Sequence, residues 1–84
     1  MALDLMEVRR LAGDVAREEH PALEVLGATS AEGGRNYAEV IVALHRQPDP
    51  LRLVIGVTRD APEPVVRGML RDRLRERLQE FELS

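Results

Sequence analysis

The apolar positions of this 84-residue chain change period twice, from helical to alternating and back, and that switch limits the fold more than any other feature. From Asp4 to Glu19, residues Leu5, Val8, Leu11, Ala12, Val15 and Ala16 recur at helical spacing and form one apolar stripe. Arg9, Arg10, Asp14 and Arg17 fall mainly elsewhere on that helix. Asp4 followed by Glu7 reads as a capping-box variant, whose side-chain oxygens satisfy amides that a first helical turn leaves unpaired. His20-Pro21 then stops the helix, because a residue before proline is pushed out of the helical region.

After Ala22 the period becomes two. Leu23, Val25 and Gly27 alternate with Glu24, Leu26 and Ala28, which predicts a first strand ended by the polar, glycine-bearing stretch from Thr29 to Asn36, with Gly33-Gly34 as the turn. A second strand, from Tyr37 to Arg46, carries Ala38, Val40, Val42 and Leu44 on one face and Tyr37, Glu39, Ile41, Ala43 and His45 on the other. Gln47-Pro48-Asp49-Pro50 is a turn, since neither proline can donate to a ladder. A third strand, Leu51 to Arg59, sets Leu53, Ile55 and Val57 against Arg52, Val54, Gly56 and Thr58. The last helix enters through Asp60-Ala61-Pro62-Glu63-Pro64, with Val66, Met69, Leu70, Leu74, Leu78 and Phe81 as its buried seam. Arg73 and Arg77 flank that seam and can lay their stems along it.

The order α-β-β-β-α with short links between strands predicts an α+β fold: a two-layer α/β sandwich in which a three-stranded antiparallel meander carries both helices on one face. The length accommodates one domain, residues 1–84.

Composition removes several classes of function. Twelve arginines against fifteen acids leave a net charge of −3, so affinity for phosphates would have to be built against the overall field, and nucleic acid is disfavoured as a partner. Tyr37 and Phe81 are the only aromatics, which leaves little to stack on bases. There is no cysteine, hence no disulfide framework, thiolate nucleophile or cysteine-based metal site. The longest apolar run, Val40 to Leu44, is far below the roughly 20 residues a bilayer-crossing helix needs, so no membrane association and a cytoplasmic location are expected. All twelve basic residues being arginine, with abundant Ala, Leu, Val and Gly, points to GC-rich codons and a bacterial source.

The face of the sheet away from the helices is the most informative anomaly. In a two-layer domain it meets water and should be polar, yet the alternation places Leu26, Ala28, Ile41, Ala43 and Val54 there, with Tyr37 nearby. Scattered surface aliphatics are one reading, and a groove for a peptide or small apolar ligand another. A self-complementary contact is preferred, because most soluble homo-oligomers are two-fold symmetric. The expectation is therefore a homodimer, a non-enzymatic interaction or regulatory module for another protein, with Leu26, Tyr37, Ile41 and Val54 at the contact. A third strand lying at the sheet edge would offer a second route, by pairing with its own copy.

Two other clusters carry residues suited to chemistry. Arg67, Arg71 and Arg75 form an i, i+4 row on the last helix, a candidate anion-binding surface, but spacings such as Glu63 with Arg67 and Asp72 with Arg75 favour a salt-bridged face. Glu18, Glu19 and His20 end the first helix, where a histidine ordinarily serves as a cap. His45 has no ligand spacing to them, so no catalytic residue, metal site or cofactor is expected. Gly33-Gly34 is too short for a phosphate-binding loop.

The order α-β-β-β-α resembles the double-stranded-RNA-binding domain in topology, over most of the chain. That family grips phosphates with lysines opening its second helix and with a Gly-Pro-x-His stretch in its first hairpin. Here the corresponding segments read Pro62-Glu63-Pro64-Val65-Val66-Arg67 and Ala31-Glu32-Gly33-Gly34-Arg35, so neither motif is present. The resemblance implies RNA binding as an alternative function. Glu19-His20-Pro21 followed by a strand from Tyr37 to His45 is distantly similar to pterin carbinolamine dehydratases, whose site includes a His-His-Pro triplet after a helix; Glu19 replaces the first histidine, and no functional residue is carried over. That similarity, with small-ligand binding, makes the enzymatic alternative.

Overall fold

A computed structural model of the chain describes residues 3–30, 36–45 and 49–82, with side chains through residue 80. Its elements follow the order α1 (Leu5–Glu19), β1 (Leu23–Ser30), β2 (Tyr37–Leu44), β3 (Leu51–Thr58) and α2 (Glu63–Glu82). Helix α1 starts where its capping residue predicts: Asp4 has extended backbone, and its Oδ1 accepts the Glu7 amide at 2.8 Å. It ends at His20, which is extended and whose N–H donates to the Ala16 carbonyl at 3.0 Å. At the entry to α2 the Pro62 carbonyl accepts from both Val65 and Val66, and Pro64 occupies the first turn, where a missing amide does no harm.

The strands form one antiparallel sheet in the order β1-β2-β3. Both helices cover the same face. Val8, Leu11, Ala12, Val15 and Ala16 of α1, with Val66, Leu70 and Leu74 of α2, pack on Leu23, Ala38, Val40, Val42, Leu44, Leu53, Ile55 and Val57 of the sheet. The core is aliphatic throughout and contains no buried polar side chain among the described residues. Burying a leucine or valine contributes about 1.5–3 kcal/mol, so the fully enclosed Leu11, Leu53, Leu70 and Leu74 anchor the two layers. Met69 and Leu78 of the expected seam are only partly buried, and the Phe81 side chain lies outside the described residues.

One strand departs from simple alternation. Leu23, Glu24 and Val25 pair with Leu44, Ala43 and Val42, but Gly27 then pairs with Ile41 and Ala28 with Val40. Leu26 is the extra residue of a β-bulge, so two residues of β1 oppose one of β2. The expected faces of Gly27 and Ala28 are therefore exchanged. Ala28 shares the face of Val40 and packs against the core, while Gly27 joins Ile41 on the other side. Past a bulge, every side chain has the opposite parity from the one that uninterrupted alternation assigns.

The order of contacts between the helices shows that they run in the same direction: Arg10 meets Glu63 near one end, and Glu18 and Glu19 meet Arg71 and Arg75 further along. The chain entering α1 is tied across the sheet to the end of β3, where the Leu3 amide donates to the Arg59 carbonyl at 2.8 Å and Arg59 Nε donates to the Leu3 carbonyl at 2.6 Å. The Arg59 amide is in turn bonded to the Asn36 carbonyl, which closes the end of β3 on β2. The Gly33-Gly34 turn and Gln47-Pro48 lie outside the described residues.

Candidate functional site: the uncovered sheet face

Because Val40 and Val42 point into the core, Ile41 between them points away from the helices, and its cross-strand partner Val54 does the same. Gly27 completes this row on β1, with the bulged Leu26 beside it. Leu26 is 41% exposed, Val54 51% and Tyr37 52%, while Ile41 is half-buried between its neighbours. Of five large hydrophobic side chains exposed among the described residues, these three belong to the sheet; Met6 and Val65 lie on the helices. Leu26, Ile41 and Val54 thus span all three strands, and Tyr37 sits toward the opposite end of β2, opposite Thr58. Ala43, on the same face, is already buried in the single chain.

Charge borders this apolar row on both sides. Arg52 is cross-strand to Ala43, one step along the face from Ile41, and Glu39 lies one step the other way, cross-strand to Gly56. Both are exposed, and neither has an ion-pair partner among the described residues. The remaining corner is closed within the chain, where His45 Nε2 and Glu24 Oε1 are 3.0 Å apart.

The arginine row is placed differently. Arg67 approaches Glu63 at 3.7 Å, Arg71 lies 3.2 Å from Glu18 and 3.9 Å from Glu19, and Arg75 Nε donates to Glu19 at 2.6 Å. The Glu63–Arg67 spacing forms as expected, whereas Arg75 turns to the other helix rather than engaging in the expected pair with Asp72. An anion on this row would have to displace carboxylates that already hold α1 to α2. An RNA-binding surface would place Arg35 or Arg59 beside the row; Arg35 lies outside the described residues, and Arg59 Nε is bonded to the Leu3 carbonyl.

Glu19, His20 and His45 each keep a separate partner. Glu19 is held by the two arginines, His20 Nδ1 accepts the Ala22 amide at 3.0 Å, and His45 is held by Glu24. The groove beside His45 is lined by neither Glu19 nor His20. Among the described residues, no three His, Cys, Asp or Glu side chains are grouped so as to hold a metal ion, and no helix is long and apolar enough to cross a membrane.

The bulge and the inter-helix ion pairs are what sequence reasoning missed. Gly27 within a strand was the available signal for the bulge. No local signal links Glu18 and Glu19 to arginines more than fifty positions away. No family model, curated protein or solved structure matches this chain.

Proposed function

We propose that this domain is a self-associating interaction module, a homodimer joined through the uncovered sheet faces, that serves as an adaptor or regulatory subunit rather than an enzyme. The observation that carries the reading is the continuous apolar row of Leu26, Ile41 and Val54 on a face that no helix covers. A second copy is the occupant that the charges favour. When two such faces meet about a two-fold axis lying across the strands, each Arg52 comes over the partner's Gly56, one strand from its Glu39, and the apolar rows meet at the centre. An axis along β2 brings Arg52 over the partner's Glu24 but stacks the two Glu39 carboxylates on each other, so the charges favour the first arrangement.

The size of the face sets the strength. Three strands of eight residues, spaced about 4.8 Å and rising about 3.3 Å per residue, present a flat footprint of about 380 Å² per subunit. Two copies together cover less than the roughly 1,200–2,000 Å² of stable interfaces, so the dimer belongs to the weak, exchanging class. The β3 edge is a poorer route, because Arg73, Glu76 and Arg77 of α2 border it at Val54–Gly56 and Leu3 is bonded at its end. Light scattering at increasing concentration tests the reading: a rising mass that Ile41→Glu and Val54→Glu each abolish, with the fold retained, supports it. A dimer unchanged by both rejects it.

A further inference from the structure

We infer that the groove between α1 and the free edge of β1 binds an extended acidic peptide, which adds to the sheet as a fourth strand. The groove encloses about 600 Å³. Leu23 and Val25 form its floor, and Met6, Arg9, Gly13 and Arg17 form its helical wall.

Three independent features point to a polypeptide occupant. The first is backbone. The His45 amide donates to the Ala22 carbonyl at 2.9 Å, which makes Ala22 and His45 a hydrogen-bonded pair. In an antiparallel ladder such pairs alternate, so Glu24 and Ala43 form the next one, and the backbone groups of Leu23 and Val25 point away from β2. The Leu23 amide is taken by the His20 carbonyl at 3.2 Å, but the Leu23 carbonyl and the Val25 amide face the groove with no backbone partner among the described residues. Pairing with an added strand would stop at the Leu26 bulge, which confines the ligand to a few residues.

The second is charge. Arg10 also lines the groove, so three guanidinium groups stand there; Arg17 is bonded to Asp14 at 2.6 Å, and the charge left to a ligand is chiefly that of Arg9. Arg9 has no ion-pair partner among the described residues, and Arg10 approaches Glu63 only at 3.5 Å. The third is Gly13. A Cβ built there would meet nothing within 4 Å, so no packing inside the chain requires glycine at mid-helix, where it weakens α1. A bare stretch of helix backbone in the groove wall admits a close-lying ligand strand. Met6, 81% exposed, supplies an adaptable apolar contact for the aliphatic side chains of that strand.

The groove shares only its Glu24–His45 corner with the uncovered face, so its test is separate from that of the dimer. The experiment is an amide-resolved NMR titration with a blocked pentapeptide alternating glutamate and valine, and with its lysine–valine counterpart. The expected result is a saturable shift of the amides of residues 23–25 and of α1 by the acidic peptide, weakened about tenfold by Arg9→Glu and reduced by salt. Gly13→Ala should bind more weakly although its thermal midpoint rises, a combination that general loss of structure cannot give. No shift at several millimolar, equal binding of the lysine peptide, full affinity in Gly13→Ala, or occupation of the same edge by a second copy without peptide would each overturn the inference.

Discussion

Deleting Leu26 removes the one residue of β1 that has no partner on β2, and the bulge makes an unusual claim about the outcome. Val25, Gly27 and Ala28 keep their partners Val42, Ile41 and Val40, so no other side chain changes face. The loss is confined to the covered part of Leu26, a little over half of the residue, which is 41% exposed. At about 1.5–3 kcal/mol for a fully buried leucine, that is about 1–2 kcal/mol, offset in part by a restored regular ladder. Deleting Ile41 instead shifts one half of the central strand and turns either Ala38 and Val40, or Val42 and Leu44, out of the core. Exposing the latter pair costs about 3–6 kcal/mol, much of the roughly 4–13 kcal/mol that an 84-residue domain typically has in total. Urea unfolding followed by circular dichroism separates the two deletions. A loss beyond about 4 kcal/mol, or no folded state, on deletion of Leu26 would refute the bulged register.

Three further outcomes follow from local geometry. Asp4→Ala removes the acceptor for the Glu7 amide and should lower stability by about 1 kcal/mol, read as a shifted urea midpoint with an unchanged slope. Glu19→Gln discharges the carboxylate between Arg71 and Arg75; with only 14% of that side chain exposed, a loss of about 1 kcal/mol is expected, smaller in 0.5 M salt, and a salt-independent loss would contradict the ion-pair account. Gly13→Ala should add about 0.5–1 kcal/mol, since nothing in the chain obstructs the new methyl group.

Most of the architecture could be read from periodicity. The stripe from Leu5 to Ala16 and the alternation of Ala38, Val40, Val42 and Leu44 each admit one regular element, and the links before β2 and β3 are too short for a parallel crossover. Leu26, Ile41 and Val54 were also legible on the outer face: Ile41 and Val54 lie between residues of opposite parity that bury well, and Leu26 follows Val25, which packs partly against the core. What escaped was Ala28. Its parity depends on a count interrupted by one residue, and Gly27 marks such interruptions without saying which way the count runs. The arginine row was visible as a pattern, but its partners on α1 were not, because the mutual direction of two helices is a tertiary property. Spacing rules reach Glu63 from Arg67 and cannot reach Glu19 from Arg75.

Sedimentation equilibrium of the 84-residue chain and of Val54→Glu, from about 10 µM to about 1 mM, decides whether the sheet face self-associates, that range being where a contact of this size associates. The mass of the natural sequence is expected to climb from 9.4 kDa toward twice that value, and that of the variant to stay at 9.4 kDa. A natural chain that stays at 9.4 kDa throughout would contradict self-association.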